Sequence, residues 1–432
     1  MTPDEGAARP TGQHSPARSQ AGTSAGSRSA REHVSWFVPG RIEVLGKHTD
    51  YAGGRSLLAA ADVGITFVAR RTDEPRVRVH STSVDDEISL PLQPEQRVAR
   101  GHWAGYPAAV ISRLTANFPG RVPGADVDID SSLPLASGMS SSSAMVVGLA
   151  RCLMDLGGLE DDPRLRTEVS SSEQLAHYLA CVENGMSFGS LTGNRGVGTF
   201  GGSEDHTAML CARPDALVQY AFSPARREAV VPFPRELSFV VAVSGVLAEK
   251  TGAAMELYNR ASLATREIVA RWNEATGRQD AFLAAAVRAD DDAPARLRQL
   301  TRDDGYLRGR LEQFMSESER FVPAAAAALT DGHLAEFGEI VDESQRWSEE
   351  GLGNQVPETV HLQRSARQLG ALAASAFGAG FGGSVWALVP RDHAADFSYH
   401  WLEEYRRAYP TCAAAAQILT TRPGNAAHRL GE

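Results

Sequence analysis

The stretch Leu133 to Ala144, LPLASGMSSSSA, constrains this chain more than any other. Upstream, DVDID at 126–130 alternates polar and apolar side chains and predicts a strand. Downstream, Ala144, Val147, Leu149, Ala150 and Leu153 recur at helical spacing. The residues between them therefore form a strand-to-helix loop. A helix N-terminus leaves backbone N–H groups without partners and carries the positive end of the helix dipole, so a loop of small residues there lets a phosphate approach the backbone. The serines at 140–143 add hydroxyls that can cap the helix, hold a phosphate oxygen or ligate Mg²⁺. Taken alone, the stretch fits an ordinary serine N-cap as well as it fits a phosphate loop.

At 432 residues with 43% apolar side chains, the chain can build two domains or one large bilobal unit. The net charge of −10, with no broad basic stripe, argues against a nucleic-acid surface. Cys152, Cys181, Cys211 and Cys412 lie far apart with no C-x-x-C spacing, which indicates neither a zinc site nor a disulfide framework. No run of about 18 apolar residues occurs and no signal-peptide core precedes residue 30, so the expectation is a cytoplasmic protein without a membrane anchor. Residues 1–30 are rich in Ser, Ala, Gly, Arg and Pro and are expected to be a disordered tail.

From Val34 the pattern turns to strand. VSWFVPGRIEVLG, DVGITFVARR, PRVRVHS and DEISLPL follow one another with turn residues between them. Helices are expected at 102–114 and 173–184, and strands at TAMLCA, LVQYAF and SFVVAV. Between them, residues 185–203 (GMSFGSLTGNRGVGTFGGS) have little to bury and predict a mobile or ligand-shaped loop. Residues 251–376 are mostly helical sequence, closed by SVWALV and AAQILT as strands, with a lobe boundary near 235.

Two further stretches bear on the first. PGRIEVLGKHTDYAGG, Pro39 to Gly54, packs Arg41, Lys47, His48, Asp50 and Tyr51 between strand-like segments; a polar hairpin turn would collect similar residues. SAFGAGFGGSVWALV, Ser375 to Val389, formally satisfies G-x-G-x-x-G through Gly378, Gly380 and Gly383. A dinucleotide fingerprint needs a strand before the glycines and a helix after them, whereas here a helical segment precedes and a strand follows. These glycines point instead to a loop packed closely against another part of the chain.

The three stretches, in this order and at these separations, resemble the three motifs of the GHMP small-molecule kinases, and the first resembles the galactokinase branch. WAGY at 103–106 and YNR at 258–260 add to the likeness, which covers about residues 35–420. It implies an α+β, two-lobed GHMP kinase fold: residues 31–235 as an N-terminal lobe related to the second domain of ribosomal protein S5, with a left-handed crossover, and 236–432 as a ferredoxin-like lobe. It implies ATP and Mg²⁺ as cofactors and a monosaccharide phosphorylated at its anomeric hydroxyl, with no nucleic-acid or membrane partner.

Residue by residue, the resemblance puts Gly138, Ser140, Ser141, Ser142 and Ser143 on the ATP phosphates and Trp103 against adenine. Ser142 and Glu183 become the Mg²⁺ ligands, Asp205 the catalytic carboxylate and Arg41 its cationic partner. Lys47, His48, Asp50 and Tyr258 fall where sugar is held. Two departures stand out: Lys47 replaces the usual glutamate, and Glu204-Asp205-His206 replaces the usual Met-Asp-Gln after a lengthened glycine segment. An ammonium only donates hydrogen bonds, so Lys47 turned into the pocket would suit an acidic sugar such as galacturonate. Turned aside, it leaves a neutral hexose as substrate. A sugar and ATP sensor without catalysis is the alternative from another class, and the presence of Asp205, Arg41 and Ser142 speaks against it.

Overall fold

The computed structural model describes residues 31–99, 101–134, 137–246 and 252–431, so the N-terminal tail expected at 1–30 lies outside the described residues. Two sheets share one core. The larger is built on β1 (His33–Leu45), paired antiparallel along most of its length with β2 (Arg55–Thr72). β3 (Arg76–Ser81), β4 (Asp86–Pro91) and β5 (Gly124–Ser131) extend it in the order β1-β2-β5-β3-β4, with β3 and β5 parallel. β6 (Ala216–Ala221) takes the other end of β2 and carries β7 (Arg226–Pro232).

The smaller sheet runs β11 (Gln417–Thr421), β8 (Leu237–Val243), β10 (Ser384–Pro390), β9 (Ala373–Phe377), all antiparallel. The two residues of β12, His428–Arg429, return to the larger sheet beside β1. β8 is buried at every position because both of its faces are covered. Phe239 and Val241 join the core of the larger sheet, while Val240 and Ala242 pack with Leu362 and Trp401 of helices Pro357–Gln368 and Ala394–Ala408. From β10, Trp386 reaches across and donates its indole N–H to the Glu43 carbonyl of β1 at 3.2 Å. The smaller sheet therefore lies directly behind the strand that carries Arg41.

Helix Ser141–Leu156 follows the serine loop and packs on β1 and β2; its buried positions include Ala144, Val147, Leu149, Ala150 and Leu153. Two local expectations are corrected. TAMLCA is not a strand but the body of helix Glu204–Cys211. Six residues are too few for apolar spacing to separate helix from strand; Glu204 and Asp205 in the first turn favour the helix dipole, and Ala and Met propagate it. The segment before the third-motif glycines is likewise a strand, β9, so those glycines join two antiparallel strands.

Candidate active site

Side chains two apart on a strand share a face, so β1 presents Arg41 and Glu43 together. Arg41 is buried, with Nε donating to Asp205 Oδ1 at 2.7 Å and a second guanidinium nitrogen donating to the Gly138 carbonyl at 2.5 Å. Its backbone N–H donates to Met139 O at 3.2 Å, which ties β1 to the serine loop. The third stretch closes the triangle. A Cβ on Gly378, at φ +81°, would sit 2.9 Å from the Gly138 carbonyl and 3.3 Å from the Arg41 guanidinium, so only glycine fits there. The three stretches thus meet at one guanidinium.

Burial works against the Arg41 charge, but Asp205 first, then Glu43 and Glu204, outweigh it and hold Arg41 above its ordinary value. From the first turn of helix Ser141–Leu156, Ser143 Oγ donates to Glu183 Oε2 at 2.8 Å and lies 3.4 Å from Asp205 Oδ2. Glu183 sits near the C-terminal end of helix Ser172–Asn184, and His206 Nε2 stands 3.3 Å from its Oε2.

The opposite wall is polar and aromatic. His48, held at φ +57°, has Nδ1 2.9 Å from Tyr51 Oη and Nε2 3.0 Å from the Ala379 carbonyl. Asp50 accepts from the backbone N–H groups of Tyr51 at 2.7 Å and Glu204 at 3.1 Å. The Tyr258 ring, on helix Gly252–Thr276, lies 5.2 Å from the His48 ring centroid. A Cβ on Gly202 would fall 2.4 Å from an Asp50 oxygen, which is why the long glycine stretch ends in bare backbone against this wall. Burial pushes the Tyr51 and Tyr258 hydroxyls well above their ordinary range. Apart from the Gly138 and Met139 backbone, one cavity is lined by these groups, and it combines a fixed cation, a carboxylate on that cation, a hydroxyl–carboxylate pair and hydrogen-bonding side chains suited to a polyol.

Family models match this chain in three consecutive blocks: the galactokinase galactose-binding signature at 26–71, the GHMP kinases N-terminal domain at 105–193 and the GHMP kinases C-terminal domain at 325–407. The chain belongs to the GHMP kinases, in their galactokinase-like branch. A galactokinase of Chloroflexus aurantiacus is 29% identical over 396 residues, covering 88% of this chain and 92% of its own. One of Mannheimia succiniciproducens is 24% identical over 360 residues, covering 82% and 84%. Among solved structures, Lactococcus lactis galactokinase complexed with galactose superposes with a TM-score of 0.76 at 24% identity, covering 93% of this chain and 96% of that one. The architecture is the two-lobed α+β fold of the GHMP kinases, with N- and C-terminal domains.

Within this GHMP kinase, Arg41, Ser143, Glu183 and Asp205 line the cavity together with His48, Asp50 and Tyr258, and Gly138 meets it through its bond from Arg41. Ser140, at φ +60°, opens helix Ser141–Leu156 without a side-chain cap, so its hydroxyl is not spent on the helix end. Three of the expected residues, Ser142, Trp103 and Lys47, stand apart from that cavity. The hydroxyl that meets Glu183 belongs to Ser143; Ser142 lies about 100° round the helix and is half-buried away from it. Trp103 does not line the cavity: its indole N–H donates to Asp86 Oδ2 at 2.8 Å and its ring stacks on His102.

Lys47 is turned aside as well. It is 1% exposed, and its Nζ donates to Ser344 Oγ at 2.9 Å; Ser344 in turn donates to Glu317 Oε2 at 2.7 Å. Glu317 Oε1 accepts from Gly46 N at 2.7 Å, and Gln313 donates to the Lys47 carbonyl at 3.0 Å. Arg310 donates to the His48 carbonyl. The loop from Gly46 to His48 is thus gripped by residues more than 260 positions away, which no local pattern in the sequence reveals. Glu43 is the other omission, and the strand period that places Arg41 would have found it.

Proposed function

We propose that this GHMP kinase transfers the γ-phosphoryl group of ATP to galactose at the anomeric hydroxyl. The observation that carries this is the Arg41–Asp205 pair, 2.7 Å long and buried on its Arg41 side, between the serine loop and a wall of His48, Asp50 and Tyr258. The matched galactose-binding signature and the galactokinase relatives support the same substrate. Phosphoryl transfer passes through a loose transition state that spreads negative charge over the moving group, so positioning and electrostatic stabilisation supply most of the rate. The fixed charge of Arg41 serves that stabilisation. Asp205 orients the acceptor hydroxyl and takes its proton. His48, Asp50 and Tyr258 hold the remaining sugar hydroxyls.

Backbone N–H groups at the start of helix Ser141–Leu156, with the hydroxyls of Ser140, Ser141 and Ser143, hold the ATP phosphates, and the base is assigned to the Trp103–Tyr106 region. Ser143 Oγ and the Glu183 carboxylate are hard oxygen donors 2.8 Å apart, a set that fits Mg²⁺. When bound, Mg²⁺ neutralises phosphate charge and orients the transferring group. Among the described residues no cluster of three His, Cys, Asp or Glu could hold a metal unaided, which suits an ion that takes part of its shell from phosphate and water. The division into lobes at about residue 235, between β7 and β8, and a cytoplasmic site of action belong to the same reading.

Lys47 turned out of the cavity removes the charge that would have favoured an acidic sugar. ADP release measured with ATP and a panel of hexoses, uronic acids and amino sugars is expected to give galactose a kcat/KM at least roughly tenfold above galacturonate. Preference for the uronic acid would overturn the substrate, and ATP binding without sugar-dependent ADP release would favour the sensor. Titrating Mg²⁺ separates the serines: Ser143→Ala and Glu183→Gln each raise the Mg²⁺ needed for half-maximal rate by about tenfold, while Ser142→Ala leaves it near wild type. A shift in Ser142→Ala alone would return the ligand to Ser142.

A further inference from the structure

Glu43 and Glu204 take no part in the scheme above, yet both are buried and both line the catalytic cavity. β1 sets Arg41 and Glu43 on one face, and the first turn of helix Glu204–Cys211 sets Glu204 beside Asp205. The four side chains therefore meet two by two: Arg41 with Asp205 as an ion pair, and Glu43 with Glu204 carboxyl to carboxyl in hydrogen-bond contact. Ser56 Oγ donates to Glu204 Oε2 at 2.6 Å. Glu43 Oε1 is buried with no hydrogen-bond partner among the described residues.

Among the described residues, the charged groups facing this pair come from three elements, Arg41 on β1, Lys47 and Asp50 on the loop after it, and Glu317 on the helical turn Met315–Phe321, with Asp205 reached through Arg41. Of the two cations, Arg41 is bonded to Asp205, and Lys47 is bonded to Ser344 beside Glu317. Neither of them makes an ion pair with Glu43 or Glu204. Two carboxylates in contact, shielded from water and without a cation of their own, cannot both stay ionised.

We propose that Glu43 and Glu204 share a single proton, and that this proton keeps Arg41 committed to Asp205 and the transferring phosphoryl group. When the proton leaves, a second negative charge beside Arg41 competes for the guanidinium and draws it from Asp205. Glu43 and Glu204 are positioning residues that set the upper pH limit of turnover. Burial raises both groups, Glu204 well above the usual carboxylate range with Glu43 and Asp50 adding to it, which favours the protonated pair, and that form is lost as pH rises. Tyr51 and Tyr258, the other weak acids in the wall, are held too high to account for such a loss.

This inference rests on the sugar-kinase reading for its rate measurement and is independent of it for its spectroscopic one. In the wild type, kcat is expected to fall on the alkaline side with a slope of about tenfold per pH unit, the mark of one proton lost by a pair acting as a unit. Glu204→Gln keeps an amide donor toward Glu43 and an acceptor for Ser56, and cannot lose the proton. Its rate at high pH, taken as a fraction of its own rate at pH 7, should show no such limb, and Glu43→Gln should behave the same way. Infrared spectra of the whole protein should show a protonated-carboxyl C=O band in the wild type that titrates with the same midpoint and is missing from both variants. An unchanged alkaline limb in two folded glutamine variants, or no such band in the wild type at pH 7, overturns the proposal. Absence of turnover with every sugar, with the band still present and titrating, overturns the kinase reading and leaves the shared proton standing.

Discussion

Asp205→Asn is expected to lower kcat by about 10³-fold while the affinity for ATP stays near wild type. The asparagine is the informative replacement. Arg41 is 3% exposed and donates Nε to Asp205 Oδ1, and an amide oxygen in the same place still accepts that bond. Alanine would leave a buried guanidinium without its partner, mixing a folding defect into the measurement. What asparagine removes is the ability to take the acceptor proton and the charge that orients Arg41. Single-turnover rates and nucleotide titrations on the same preparation separate chemistry from binding. A turnover within a few-fold of wild type would remove Asp205 from the reaction.

Lys47 carries the second large effect, and it is one on stability. Lys47→Met takes away the ammonium that reaches Glu317 through Ser344 and leaves that carboxylate, fully buried, with its hydroxyl and backbone donors only. Losing one member of such a pair is expected to cost about 3 kcal/mol in denaturant unfolding. Because Glu317 also accepts from Gly46 N, the KM for sugar should rise more than the KM for ATP. Lys47→Met combined with Glu317→Gln should recover part of the stability, since the uncompensated charge is then gone. Lys47→Glu would place a carboxylate near Glu317 and Glu43, so it should be the least stable of the three and bring no gain toward galactose. A Lys47→Met protein as stable as wild type, with unchanged sugar KM, would show that the bridge through Ser344 carries no energy.

Much of the site was legible because its groups lie inside short segments whose backbone form follows from local composition. Small residues between a strand and a helix are enough to place Gly138 and Ser140 at a helix N-terminus, and the repeated apolar spacing after Ala144 sets the face that packs on β1 and β2. What local pattern could not resolve was direction. Neighbouring serines on a helix point about 100° apart, and whether Ser142 or Ser143 meets Glu183 depends on how the helix is rotated by its packing against β1. Trp103 shows the same limit, since the acceptor that turns its indole is Asp86, supplied by another strand.

Local sequence is enough to set which chemistry is available: a helix start able to take a phosphate, a cation and a carboxylate, and three stretches whose order and separation are those of the GHMP kinases. Which groups face the cavity follows from how distant segments pack. Lys47 is a donor wherever it lies, but its removal from the cavity follows from Glu317 and Ser344, nearly 300 residues on, whose buried oxygens are satisfied by the Lys47 side chain and the Gly46 backbone. Glu43 and Glu204 are ordinary acidic residues in a linear chain; brought together without water or a cation of their own, they can no longer both carry charge. Contacts set by chain folding over such separations leave no mark on the spacing of neighbouring residues, because their energy comes from burial and desolvation that exist only once the lobes have closed on one another.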